Sequence, residues 1–92
     1  MNTVHYNIRV SGRVQGVAFR KYTYDKARAF GITGFVKNDS DGDVIIEVEG
    51  DEGVLKEFVQ WCHKGSPFSK VNSVEVTEGS LRSFNTFEIL SY

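Results

Sequence analysis

The 92-residue chain reads as an α+β sandwich: two helices cover one face of an antiparallel sheet of strand order 4-1-3-2, and a short extra strand ends the chain. Three observations predict this. Apolar residues alternate with period two, switch to helical spacing, and do so in the order β-α-β-β-α-β. The turn-rich run Asn38-Asp39-Ser40-Asp41-Gly42 joins the two middle strands as a hairpin. Two right-handed β-α-β crossovers, each skipping one strand position, then interleave into that order.

Taken in order, Val4, Tyr6, Ile8 and Val10 alternate with His5, Asn7, Arg9 and Ser11, which makes residues 3–11 a half-buried strand. In the segment from about Val17 to Phe30, Phe19, Thr23, Ala27 and Phe30 fall on one helical face, and Gly31 suits the residue past a helix end. Strands over 32–37 and 43–49 flank the hairpin turn. A second helix is predicted over 51–64, with Val54, Leu55, Phe58, Trp61 and Cys62 as its apolar stripe. Asp51 and Glu52 suit its positive end, His63 and Lys64 its negative end, and Gly65 and Pro67 stop it. Strands at about 70–77 and 84–90 close the chain. The arrangement is ferredoxin-like, and one domain spanning 1–92 is expected. The sequence leaves open where the last strand pairs.

Composition excludes several classes. With 40% hydrophobic and 25% charged residues the chain is neither disordered nor low-complexity. No apolar run approaches the ~20 residues of a membrane-spanning helix. The N-terminus shows no basic region followed by an apolar stretch, so no signal peptide is read. A single cysteine, Cys62, cannot form an internal disulfide, which suits a cytoplasmic location. The net charge is −1, yet residues 1–37 carry seven bases and one acid, and residues 38–92 four bases and eleven acids. That split either marks an anion-binding surface or disappears as the two halves interleave.

The segment between the first strand and the first helix is the unusual one. Helices favour Ser, Thr, Asp or Asn at the N-cap, and Arg13-Val14-Gln15-Gly16-Val17-Ala18-Phe19 contains none of them. Unpaired amides at the positive end of a helix, with a glycine that lets the chain curl, form a ready anion site. Arg20 follows in the first turn, where a cation is disfavoured unless an anion binds, and its guanidinium can fork onto that anion. The spacings of a nucleotide P-loop and of a dinucleotide fingerprint are absent.

Gly12-Arg13-Val14-Gln15-Gly16-Val17-Ala18-Phe19-Arg20 resembles the signature of the acylphosphatase family, and Gly34-Phe35-Val36-Lys37-Asn38 followed by Asp41-Gly42 resembles its second motif. The likeness extends to Glu49-Gly50, to Trp61 through Pro67 and to Phe87-Glu88-Ile89. It implies hydrolysis of the carboxyl-phosphate bond of small acyl phosphates without a metal or cofactor. By the same resemblance, the amides of Gln15, Gly16, Val17, Ala18 and Phe19 hold the phosphate with Arg20, and Asn38 positions the attacking water. Inorganic phosphate is then product and competitive inhibitor, and the enzyme is expected to be a cytoplasmic monomer without nucleic-acid or membrane partners. Against the family pattern, Phe35 stands for a frequent Trp with an expected core role, Gly65-Ser66-Pro67 reads as a loop change, and Asp39 and Asp43 bring acids close to the phosphate.

Simpler roles compete for other residues. Asn38 also suits a plain turn. Cys62 reads as a small core residue rather than a thiol nucleophile. His5 falls on the polar side of the first strand, and neither His5 nor His63 has ligands at metal spacing. Asp39, Asp41 and Asp43 mimic calcium ligands but lack the bidentate Glu of a calcium loop. An RNA-recognition module shares the element order. However, the third strand Val44-Ile45-Ile46-Glu47-Val48-Glu49 offers no stacking aromatics, and the chain is not basic. A regulatory domain that keeps the phosphate loop without turnover is a further alternative.

Overall fold

A computed structural model describes residues 2–91. Its elements are β1 (Thr3–Arg13), α1 (Phe19–Phe30), β2 (Thr33–Asn38), β3 (Val44–Asp51), α2 (Glu52–Lys64), β4 (Lys70–Gly79) and β5 (Phe87–Leu90). The sheet order is β4-β1-β3-β2-β5, so the predicted 4-1-3-2 core is present. The sheet is mixed rather than wholly antiparallel. β5 lies parallel to β2, with Gly34 opposite Phe87 and Lys37 opposite Leu90, while β1 pairs antiparallel with β3 and β4.

Alternation sets the faces. Val10, Val44, Ile46 and Val36 point to the helices and, with Phe19, Leu55, Phe58 and Cys62, are fully buried. Each such side chain contributes roughly 1.5–3 kcal/mol of transfer free energy. α2 begins at Asp51, whose carboxylate accepts from the Val54 amide, and α1 ends at Gly31 in the left-handed region. At Gly12 the β1–β4 register shifts and φ is +125°; a Cβ there would lie 2.2 Å from the Lys70 carbonyl oxygen. The extra residue of this bulge is Asn72 on β4, and pairing continues through Gly12–Val71 and Arg13–Lys70 before the chain enters the loop that leads to α1.

Two expectations need correction. His5 faces away from the helices as predicted but is only 2% exposed. Phe35 lies on that same open face, edge-on to Phe84, and so is no part of the helix-side core. In both cases the cause is the segment between β4 and β5, which crosses the open face and covers it.

Candidate active site

β1 and β2 run parallel to each other through their shared neighbour β3, so the loop after β1 and the end of β2 meet at one edge of the sheet. α1 starts there without a side-chain cap and without an acid in its first turn; its N-cap residue, Ala18, has φ 60°. A left-handed alanine costs roughly 1–2 kcal/mol. Gly16 is also left-handed, at φ +74°. The two turns curl the loop over the helix end, and the amides of residues 16–21 make no hydrogen bond to the described residues. Orphan amides at a helix N-terminus carry positive potential.

A cleft of about 220 Å³ opens over this end, lined among others by Gly16, Ala18, Arg20, Lys21, Asn38 and Ile89. Larger depressions lie between the helices at Tyr22, Trp61 and Pro67, about 640 Å³, and on the open face at Phe35, Arg82 and Phe84, about 560 Å³. Neither gathers a comparable set of unpaired amides, and chemistry rather than volume selects the small cleft.

Arg20 donates through one Nη to the Leu90 carbonyl at 3.0 Å. A guanidinium has five N–H donors in a fixed fork, so this bond orients the group and leaves the rest for a ligand. Asn38 closes β2. Its carboxamide oxygen is buried and has no hydrogen-bond partner among the described residues, whereas buried polar atoms are nearly always paired.

Of the predicted residues, Gly16, Ala18, Phe19, Arg20 and Asn38 line one cleft. Gln15 and Val17 belong to the same loop but do not line it. Instead, the Gln15 side chain donates to the Asp39 and Asp43 carbonyls, each at 2.8 Å. It thereby ties the loop to the hairpin that carries Asn38. The Val17 carbonyl accepts from the buried Ser66 hydroxyl at 2.9 Å. Ser66 is therefore a brace for the loop rather than a neutral loop change, and nothing in the sequence around it signals this.

The acids after Asn38 turn away from the cleft. One Arg9 nitrogen lies 2.9 Å from Asp39, 3.2 Å from Asp41 and 3.0 Å from Asp43. Those contacts hold the Arg9 guanidinium above its ordinary pKa, Asp43 contributing most. Arg9 and the Ser40 amide hold the Asp39 carboxyl below the usual range. Cys62 sits fully buried in the core, where burial pushes its thiol up. A thiolate nucleophile needs the opposite.

The sequence matches the acylphosphatase family over residues 6–89. An acylphosphatase of Syntrophobacter fumaroxidans is 49% identical over 84 residues, covering 90% of this chain and 87% of the relative. The crystal structure of acylphosphatase from Bacillus subtilis superposes with a TM-score of 0.92 at 45% identity, over 95% of this chain and 98% of the other. A structure from Coxiella burnetii gives 0.93 at 32% identity, over 97% and 94%. With this signature, this fold and these relatives, the chain belongs to the acylphosphatase family.

Proposed function

We propose that this acylphosphatase hydrolyses small acyl phosphates to a carboxylate and inorganic phosphate without a metal, using the cleft at the start of α1. One observation carries this reading: the buried carboxamide oxygen of Asn38, without a hydrogen-bond partner among the described residues, shares a cleft with an uncapped helix N-terminus and Arg20. The amides of the 15–19 loop and the free donors of Arg20 bind the phosphoryl oxygens, each charge-assisted bond contributing roughly 1.5–3 kcal/mol. Guanidinium and amides together supply the positive charge that phosphoryl transfer needs as negative charge redistributes.

The Asn38 oxygen accepts a hydrogen bond from water and aims the water's lone pair at phosphorus. The new P–O bond forms to water, and the bond from phosphorus to the acyl oxygen breaks. The carboxylate leaves with that electron pair, and the water proton passes to solvent. A carboxylate is a weak base, so its departure needs no general acid. An amide oxygen is too weak a base to deprotonate water, which makes orientation the role of Asn38.

The same reading takes residues 1–92 as one catalytic domain, a cytoplasmic monomer with phosphate as competitive product inhibitor. Its exposed apolar side chains, Tyr22, Phe68, Val76, Leu81 and Ile89, are carried by different segments. The test is phosphate release from a simple aryl acyl phosphate in excess chelator. Turnover is expected; its absence, with phosphate still bound, leaves a phosphate-binding domain without catalysis.

A further inference from the structure

β4 and β5 lie at opposite edges of the sheet, so residues 80–86 must cross beneath three strands. Four strand spacings amount to about 19 Å, and the eight Cα steps from Gly79 to Phe87 reach at most about 29 Å. The crossing therefore has length to spare, with Ser83 at φ 58° within it, and where its middle is fastened decides the path by which it reaches β5.

One carboxylate does the fastening. Glu49, on the open face of β3 and 6% exposed, accepts from the Arg82 amide, from the Phe84 amide at 3.2 Å and from His5 Nδ1 at 2.7 Å. Phe84 stacks on the His5 ring with centroids 5.8 Å apart. The Arg82 guanidinium lies 5.1 Å from the Phe84 centroid and 3.0 Å from Glu47. Acidic side chains are seldom fully buried unless paired, and the catalytic cleft makes no use of this one.

Downstream of the fastened segment, the Thr86 carbonyl takes the Gly34 amide at 2.9 Å and β5 runs along β2 to Leu90, whose carbonyl orients Arg20. Ile89 lines the cleft. We propose that Glu49 is a positioning residue for Arg20: by fixing residues 82 and 84 it fixes the placement of β5, and through the Leu90 carbonyl the guanidinium that binds phosphate. This rests on the assignment of Arg20 to phosphate.

The test is a cycle of Glu49→Gln and Arg20→Gln, singly and together, with inorganic phosphate titrated by NMR into each folded protein. Glutamine keeps the length but replaces one acceptor oxygen with a donor facing donors. With Arg20 present, Glu49→Gln is expected to weaken phosphate about fivefold; with Arg20→Gln, less than twofold, because residues linked through a shared backbone shift are not additive. The Arg20 Nε resonance of the unliganded protein is expected to move in Glu49→Gln, a readout that does not need tight binding. Equal weakening in both backgrounds, or an unmoved Arg20 signal, overturns the proposal. If Glu49→Gln does not fold, Phe84→Ala loosens the same crossing and runs through the same cycle, where the same two results overturn the proposal. Arg20→Gln binding phosphate like the parent refutes the Arg20 assignment instead, whatever Glu49 does.

Discussion

Replacing Asn38 with alanine separates its chemistry from its structural contribution. The buried carboxamide oxygen has no partner among the described residues, and leaving such an atom unpaired costs the folded state about 1–3 kcal/mol. The backbone around it does not depend on the side chain: Asn38 sits opposite Val44 in the ladder, and the Asp39 amide donates to the Asp43 carbonyl at 2.8 Å. Asn38→Ala should therefore leave unfolding free energy within about 1 kcal/mol of the parent, or raise it, as the relief offsets lost packing. Turnover should fall about 100-fold, the usual order for losing the orientation of a reacting group, which is ~2.7 kcal/mol of barrier. Phosphate should still bind within about twofold, since Arg20 and the loop amides are untouched. Urea unfolding, initial rates and phosphate inhibition on the same preparation read all three. A drop in phosphate affinity parallel to the drop in rate would refute water positioning and make Asn38 a phosphate ligand. Destabilisation beyond about 2 kcal/mol would make it a structural turn residue instead.

Arg20→Gln should weaken phosphate competition and abolish turnover while the fold survives; unchanged inhibition by phosphate contradicts the site. Cys62→Ala should keep full activity and cost roughly 1–2 kcal/mol for one buried sulfur and the space it leaves; a folded but inactive variant refutes its core role. Acid should unfold the protein through carboxyls held low in the native state. Asp39 lies below its ordinary 3.8 through Arg9 and Ser40. At Glu49 burial pushes upward, but the Arg82 amide, His5 and the Phe84 amide outweigh it, and the group lies below its ordinary 4.5. The unfolded chain then binds more protons as pH falls, so the stability is complete above about pH 4.5 and drains away below it. Tm followed from pH 6 to 2.5 should fall less steeply in Glu49→Gln, and parallel slopes contradict this assignment.

What the sequence makes legible is whatever local chemistry decides. Gly31 ends α1 because only a left-handed residue continues there, and the lack of any cap before Phe19 is visible as a lack of Ser, Thr, Asp and Asn. The hairpin, both helices and the meeting of Arg20 with Asn38 follow from such signals plus crossover handedness. Alternation places His5 and Glu49 on the open face, but it says nothing of a segment that later crosses that face. They are legible as outward and illegible as covered. Phe35 misleads for the same reason: an aromatic side chain in a strand suggests the helix-side core until a second apolar cover appears on the other face. The parallel pairing of β5 on β2 is hidden because Phe87, Glu88, Ile89 and Leu90 carry no feature that selects one edge over another. Ser66 and the Gln15 side chain act across 49 and 24–28 residues of sequence respectively, a separation at which no local pattern applies.

The same distance problem explains why the acids beside Asn38 look adverse in the sequence. There, Asp39 and Asp43 lie close to Asn38, the residue proposed to position water beside a phosphate dianion. In space, strand alternation sends Arg9 to the open face, where its guanidinium draws Asp39, Asp41 and Asp43 together. Three carboxylates on one guanidinium keep the hairpin net negative, but that charge is exposed to water and screened within about 10 Å at ordinary salt. The uncapped start of α1 and Arg20 line the cleft, at contact distance from any anion placed there and with less water between. A dianion in the cleft therefore meets the donors before it feels the acids, because the hairpin acids pair with Arg9 of the basic half and stay apart from the cleft. The Gln15 side chain holds that separation in place: because it binds the carbonyls of Asp39 and Asp43, the backbone that aims Asn38 inward is the same backbone that turns the acidic side chains out.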